Sequence, residues 1–261
     1  MKKICIFYFS GTGMTKFVVE GLIGEFEKNR IAVDCFRIED KHSVVLSEYD
    51  VFGIAYPVHS FNAPEIVIDF VKLLPESNGM NTFIVHTAGE DSKLNYASSD
   101  LLIRRLRGKG YKVFYNRLIE MPSNFIVRYD DAKVNKIIDN SNKVVPYIAK
   151  DIIAQKPYFM KKNIVSKIIT FFGKIEWLGA RIVGVHFYVG KNSGCVRCGK
   201  CIENCPNQNI MMKEKQINFK WRCGICMRCI YHCPQNAINV HQPFKFILLH
   251  KWYDTAFNKL K

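Results

Sequence analysis

Eight cysteines between Cys195 and Cys233 fall into two arrays of identical spacing, and this feature constrains the chain more tightly than any other. Cys195, Cys198, Cys201 and Cys205 are followed by Pro206, and Cys223, Cys226, Cys229 and Cys233 by Pro234. Every cysteine recurs after 28 residues, as do Ile202 at Ile230 and Ile210 at Ile238, so the segment is an internal duplication. No targeting signal is expected from the first residues. Lys2 and Lys3 lead into the short apolar run Ile4–Phe9, which ends in Ser10-Gly11-Thr12-Gly13, a tight turn and not a cleavage site. No uncharged stretch reaches the roughly 18 residues of a spanning helix. A cytoplasmic, reducing location is therefore expected, and there clustered cysteines favour metal over disulfides.

Four thiolates per array is the ligand count of a 4Fe–4S cubane, and Cys-x2-Cys-x2-Cys-x3-Cys-Pro is the bacterial two-cluster ferredoxin run. That spacing lets three thiolates wrap one cluster while the fourth turns to a second. By that arrangement Cys195, Cys198, Cys201 and Cys233 hold one cluster, and Cys223, Cys226, Cys229 and Cys205 the other. Two zinc sites are the alternative, since paired Cys-x2-Cys motifs also bind zinc. Three cysteines at successive x2 intervals with a trailing Cys-Pro favour iron–sulfur. Cys5 and Cys35 sit inside expected strands and read as core residues. His232, beside Cys233, reads as a loop histidine.

The first 150 residues alternate between two periodicities. Ile4–Phe9, Val51–Tyr56 and Thr82–Thr87 are apolar runs of strand length, as in strands buried on both faces. Ile31–Ile38 alternates like an edge strand, and Tyr111–Met121 reads as a fifth. Helical spacing appears over Lys16–Lys28, from Pro64 onward, over Ser98–Arg107 and over Asp131–Ile153. Five strands with crossovers predict an α/β, doubly wound parallel sheet, which binds ligands beyond the carboxyl ends of its strands.

Three loops fall at those ends. Ser10, Gly11, Thr12, Gly13, Met14 and Thr15 lead from the first strand into a helix, so backbone amides, hydroxyls and a helix N-terminus converge. Lys16 stands where a dinucleotide fingerprint requires its third glycine, and no Gly-Lys-Ser/Thr is present. A hydroxyl-rich loop of this kind suits the phosphate of flavin mononucleotide (FMN). Tyr56, Pro57, Val58, His59, Ser60, Phe61 and Asn62 form the second loop, where Tyr56 and Phe61 offer flat surfaces for an isoalloxazine ring and Asn62 a partner for its edge. Thr87, Ala88 and Gly89 supply a close backbone approach on the other side.

The first 150 residues resemble flavodoxin, whose phosphate loop reads Ser/Thr-x-Thr-Gly-x-Thr, matched by Ser10, Thr12, Gly13 and Thr15. The helix position where flavodoxins often place Ala is Val19. Flavodoxin-like domain, connector and two-cluster ferredoxin, in that order, resemble the fused flavodoxin–ferredoxin proteins of anaerobes, the EFR-type family. Met121-Pro122-Ser123-Asn124-Phe125 resembles a Met-Pro-x-Asn-aromatic motif of that family, and Phe187-Tyr188-Val189 its lead into the clusters. The resemblance implies a flavodoxin-like FMN domain over 1–150, a connector over 151–190, and a smaller α+β two-cluster 4Fe–4S domain with a tail over 191–261.

In the connector, Ile164, Ile168, Phe171, Phe172, Ile175, Leu178, Ile182 and Val185 recur at helical spacing, with Ser166, Lys167, Thr170 and Lys174 opposite. A basic amphipathic helix of this kind suits an anionic membrane, but packing against the two domains is the expectation. Composition bears on partners. At 48% hydrophobic and 23% charged residues the chain is globular, and its formal net charge is +15. Residues 191–261 carry 12 Lys and Arg against 3 Asp and Glu. Two clusters with deprotonated ligands remove about two positive charges each, so the holoprotein stays basic around its clusters. Acidic redox proteins, and not nucleic acid, are the partners this charge suits. No catalytic constellation and no small-molecule substrate signature is present, so low-potential electron transfer is the leading expectation. A flavin-dependent reductase using the clusters as an internal wire is the alternative.

Overall fold

The computed structural model describes residues 1–40, 42–172, 175–190 and 193–246. Its chain divides into two compact units, residues 1–122 with 130–174, and residues 123–129 with 175–261.

In the first unit β1 (Lys3–Tyr8), β3 (Val51–Pro57), β4 (Asn81–Ala88) and β5 (Lys112–Glu120) are flanked by β2 (Ala32–Arg37) and β6 (Tyr158–Phe159). The order is β2-β1-β3-β4-β5-β6, with every pairing parallel. The central strands are apolar on both faces because helices cover both: Ile4, Ile6, Phe52, Ile54, Phe83 and Ile84 are all fully buried. The half-exposed β2 takes one edge, as its alternation requires. α1 (Met14–Lys28) packs against α4 (Asp131–Ile153), and α2 (Glu65–Leu73) against α3 (Asp100–Gly108). The crossover through α1 runs outward in the direction opposite to those through α2 and α3, so right-handedness puts α1 on one face and α2 and α3 on the other, and α4 joins α1. The sheet has six strands where five were expected. β6 pairs Tyr158 and Phe159 with Tyr115 and Asn116, and two residues are too few to show a period.

In the second unit α6 (Glu176–Val185) leads into β7 (Phe187–Val189), α7 (Lys200–Glu203), β8 (Ile210–Lys213), β9 (Gln216–Phe219), α8 (Arg228–Tyr231) and β10 (Ile238–Val240). β7 pairs antiparallel with β10, and β8 with β9. Phe187, Met227, Ile230, Tyr231, Ile238 and Val240 form its core cluster, with Phe125 packed against it. The Tyr231 hydroxyl donates to the Asn124 carbonyl at 3.5 Å, tying the segment 123–129 to this unit.

The connector departs from expectation. Its helical spacing resolves into α5 (Ile164–Phe172) in the first unit and α6 in the second. The apolar side chains expected to pack are exposed instead: Ile164, Ile168 and Phe171 on α5, and Ile175, Leu178, Ile182 and Val185 on or beside α6. Lys174 and the Phe172 side chain lie outside the described residues. Among the described residues no helix is long and apolar enough to cross a membrane.

Candidate cluster and cofactor sites

The order β2-β1-β3-β4-β5 places a topological switch point between β1 and β3, and a doubly wound sheet opens its ligand crevice there. The loop after β1 curls around Ser10, whose hydroxyl accepts from the Gly13 N–H at 3.1 Å and the Lys16 N–H at 3.3 Å. Gly13 caps α1 at φ +100°, a conformation that glycine adopts without strain. The first turn of α1 holds no acidic residue, so its positive partial charge is not offset locally. Thr15 and Thr87 share a buried hydroxyl–hydroxyl hydrogen bond of 2.8 Å, joining this loop to the end of β4. The Val58 N–H donates to the Thr87 carbonyl at 2.7 Å and brings the loop after β3 alongside. Three of the expected loops are thus gathered on one rim, and turn amides, a helix N-terminus and hydroxyls suit a phosphate without a metal.

The second loop differs from its expected role in two residues. Tyr56 is fully buried inside β3, stacked on His86 at 5.6 Å and 27°, so its ring has no face left for a flavin. The sequence places Tyr56 beside Pro57 at a strand end, yet the ladder with β4 continues through both. Burial holds His86 neutral by pushing its pKa down to about 3. Asn62 is also fully buried, and its amide donates to the Thr170 carbonyl of α5 at 2.9 Å. Phe61 is the half-buried aromatic that remains. It sits at φ +68° after Ser60 at φ +34°, in a tight turn closed by reciprocal His59–Asn62 backbone bonds of 2.9 and 2.8 Å. A phenylalanine in the left-handed region costs roughly 1–3 kcal/mol, and such strain clusters at binding sites. Thr170, which also donates to the Phe61 carbonyl at 3.2 Å, had no motif to announce it.

In the second unit the 28-residue repeat is written into the backbone. Left-handed residues recur in register: Arg197 with Ile225, Gly199 with Met227, and Gln208 with Asn236. α7 and α8 follow at the same interval, as do β8 and β10. The Asn209 N–H donates to Cys205 Sγ at 3.2 Å, and 28 residues later the Ala237 N–H donates to Cys233 Sγ at the same distance. These sulfur donors were not singled out from the sequence, although the repeat period itself points to them.

The cysteines act on one another's thiols. The Cys201 thiol is pushed up to about 11, first by burial and then by the charges of Cys233, Cys195 and Cys198. Burial raises Cys223 to about 12, with Cys226 and Cys205 adding to it. Cys229 is raised well above its ordinary value by burial, then by Cys226, Cys223, Cys205 and, least, Cys201. The charge of Cys233 thus acts on the first array and that of Cys205 on the second. Among the described residues no three His, Cys, Asp or Glu side chains converge on a single-ion site. Residues 188–234 match the model of the 4Fe-4S dicluster domain. The chain thus joins a flavodoxin-like sheet to a dicluster domain.

No curated protein matches the chain. Solved structures similar to it include the Streptococcus pneumonia TIGR4 flavodoxin, at 15% identity and a TM-score of 0.43, covering 59% of this chain and 99% of that one. Flavodoxin 2 from Bacillus cereus stands at 18% and 0.42, covering 57% and 99%, and the Megasphaera elsdenii flavodoxin at 20% and 0.40, covering 56% and 98%. The assignment of the sheet rests on its own strand order and not on these likenesses.

Two residues of the dicluster unit complete its surroundings. A Cβ on Gly184 of α6 would stand 2.0 Å from the Cys223 Cβ, so only glycine lets this helix pass the cysteine. Arg228 opens α8 next to Cys229, is 5% exposed, and donates to the Asn204 carbonyl at 3.3 Å. Its repeat mate Lys200 is exposed. Cys5 and Cys35 lie in β1 and β2, where burial raises both thiols to about 12, in keeping with inert core residues.

Proposed function

We propose that this chain is a low-potential electron-transfer protein that holds FMN at the carboxyl rim of its sheet and two 4Fe–4S clusters in its dicluster unit. The observation that carries the reading is the match of residues 188–234 to the 4Fe-4S dicluster domain, in a segment whose 28-residue repeat extends to its left-handed residues and its amide–sulfur bonds. Bound FMN exchanges electrons singly or in pairs, and each cluster exchanges one. The phosphate would lie against the amides of Gly11–Thr15 and the α1 N-terminus, with Phe61 and Thr87–Gly89 flanking the ring. Amide donors to Cys205, Cys223 and Cys233 favour the more negative, reduced state of a cluster.

Arg197, Lys200, Lys213, Lys215, Lys220 and Arg222 are exposed on the dicluster unit, against Glu203 and Glu214. Such a surface suits an acidic redox protein and steers its approach. Anaerobic purification with iron, sulfide and FMN quantified tests the assignment. About eight irons per chain are expected, four per cluster, with one FMN and two reducible centres by EPR titration. Zinc in place of iron, or a chain that binds no flavin, overturns it. Reduction of an acidic partner should slow as ionic strength rises; a rate insensitive to salt removes the docking assignment and leaves the cofactors in place.

A further inference from the structure

α5 is oriented opposite to a helix that packs by its apolar face. Asn163 starts it, its side-chain oxygen accepting from the Ser166 N–H at 2.7 Å while the Ser166 hydroxyl donates to the Asn163 carbonyl at 2.8 Å. Its buried residues are polar, with Ile169 half-buried between them. Ser166 is fully buried and Thr170 is 6% exposed, and both satisfy their hydroxyls on backbone carbonyls. The outward face is apolar: Ile164 is 69% exposed, Ile168 51% and Phe171 66%, with Val165 beside them. Because hydroxyl–carbonyl bonds satisfy the buried face, the inversion is stable, and it leaves a row of large apolar side chains in water.

The charge around this face indicates its partner. A hollow of about 850 Å³ lies beside α5, lined by Arg104 and Arg107 of α3 and by Lys162 and Lys167. The one carboxylate in its lining, Asp100, is paired with Lys162. Lys161 is exposed next to the helix start. Apolar side chains facing outward with cations at their margin fit the boundary between headgroups and acyl chains of a bilayer, and basic groups there attract anionic lipid.

We propose that α5 seats the sheet unit on an anionic phospholipid bilayer. Ile164, Val165, Ile168 and Phe171 enter the acyl boundary, and Arg104, Arg107 and Lys167 meet the headgroup phosphates. The helix lies on the surface and does not span it. Since α5 is hydrogen-bonded to Phe61 and Asn62, docking brings the loop after β3 to the membrane side. The inference does not depend on the redox reading.

The test is flotation of full-length holoprotein with vesicles of phosphatidylcholine alone, or of phosphatidylcholine with phosphatidylglycerol, at low and moderate salt. Co-flotation is expected only with phosphatidylglycerol present, and it should weaken as salt rises. Ile164→Glu with Ile168→Glu, and separately Arg104→Gln with Arg107→Gln and Lys167→Gln, should each cut the bound fraction about tenfold. All these side chains are exposed, so circular dichroism and cofactor content should stay as in the wild type. Absence of wild-type flotation overturns the proposal, and so does a Glu variant that floats like the wild type. It also fails if the wild type is a dimer in solution, does not float, and becomes monomeric on Ile168→Glu, because a second copy then covers the face.

Discussion

In the sheet unit the candidate ligand loops hang from a core that owes nothing to a ligand. β1, β3 and β4 are buried along nearly their whole length. In the dicluster unit the relation is reversed. Six buried residues form its core cluster, its helices α7 and α8 have four residues each, and its strands have three or four. Isolated elements of that length do not hold themselves. On the proposed assignment its order comes from the sulfur ligands, because metal affinity of this kind is folding free energy. On that assignment one unit is a scaffold to which a cofactor is added, and the other is a fold that its cofactors make.

The largest effect follows from that contrast. Stripping iron anaerobically should cost the dicluster unit its whole stability, on the order of 5 kcal/mol or more. Amides over 193–246 should lose hydrogen-exchange protection while those of β1, β3 and β4 keep theirs. Trp177 and Trp221 lie in the dicluster unit, so their fluorescence reports on it alone among the described residues. If both units keep their protection without iron, the comparison is wrong. With the fourth ligands exchanged as proposed, Cys205→Ala should remove the cluster of Cys223, Cys226 and Cys229 and spare the other.

A middle-sized effect belongs to the sheet unit and depends on pH. His86 is fully buried against Tyr56 and Ser98, its Nδ1 3.1 Å from the Ser98 hydroxyl, and its folded pKa is about 3. Unfolded, it titrates near 6.5. The unfolded chain therefore binds the extra proton first, and stability is complete above about pH 6.5 and declines as pH falls toward 3. The slope is about 1.4 kcal/mol per pH unit, so pH 5 should cost roughly 2 kcal/mol relative to pH 7. Hydrogen exchange of β4 amides measures it. His86→Gln should start less stable yet flatten this slope, and an unchanged slope would show that another group carries it.

What could be read from the sequence follows the same division. The dicluster domain was legible because chemistry fixes cysteine spacing independently of tertiary structure, and the repeat carried the backbone with it. Strand ends were legible because apolar runs stop where a buried sheet stops. Side-chain direction at those ends was not. Tyr56 looked like a ring surface because it precedes Pro57, yet the register Tyr56 with His86 keeps it inside the ladder. The two faces of α5 were visible in its spacing, but spacing does not say which face turns inward. Ser166 and Thr170 settled that by reaching carbonyls at Asn163 and Phe61, one of them 109 residues away in the chain. β6 was missed because a two-residue strand is defined only by its partner β5.

The smallest effect tests whether the rim binds a phosphate or merely packs. Thr15 and Thr87 bond to each other in a buried position, so removing one hydroxyl leaves the other without this partner. Such a loss costs about 1–3 kcal/mol, whereas replacing both with apolar groups of the same shape is nearly neutral. If the pair only braces two loops, Thr15→Val and Thr87→Val should each lower stability, the double variant should recover most of it, and FMN affinity should follow the same pattern. If the Thr15 hydroxyl also serves the phosphate, Thr15→Val should weaken FMN binding about tenfold, near 1.4 kcal/mol, and the double variant should not restore it. A double-mutant cycle on both stability and FMN affinity separates the two roles, because coupling should appear in stability and fail in binding. Full recovery of FMN affinity in the double variant would reduce Thr15 to a brace and leave the loop amides and the α1 N-terminus as the anion site.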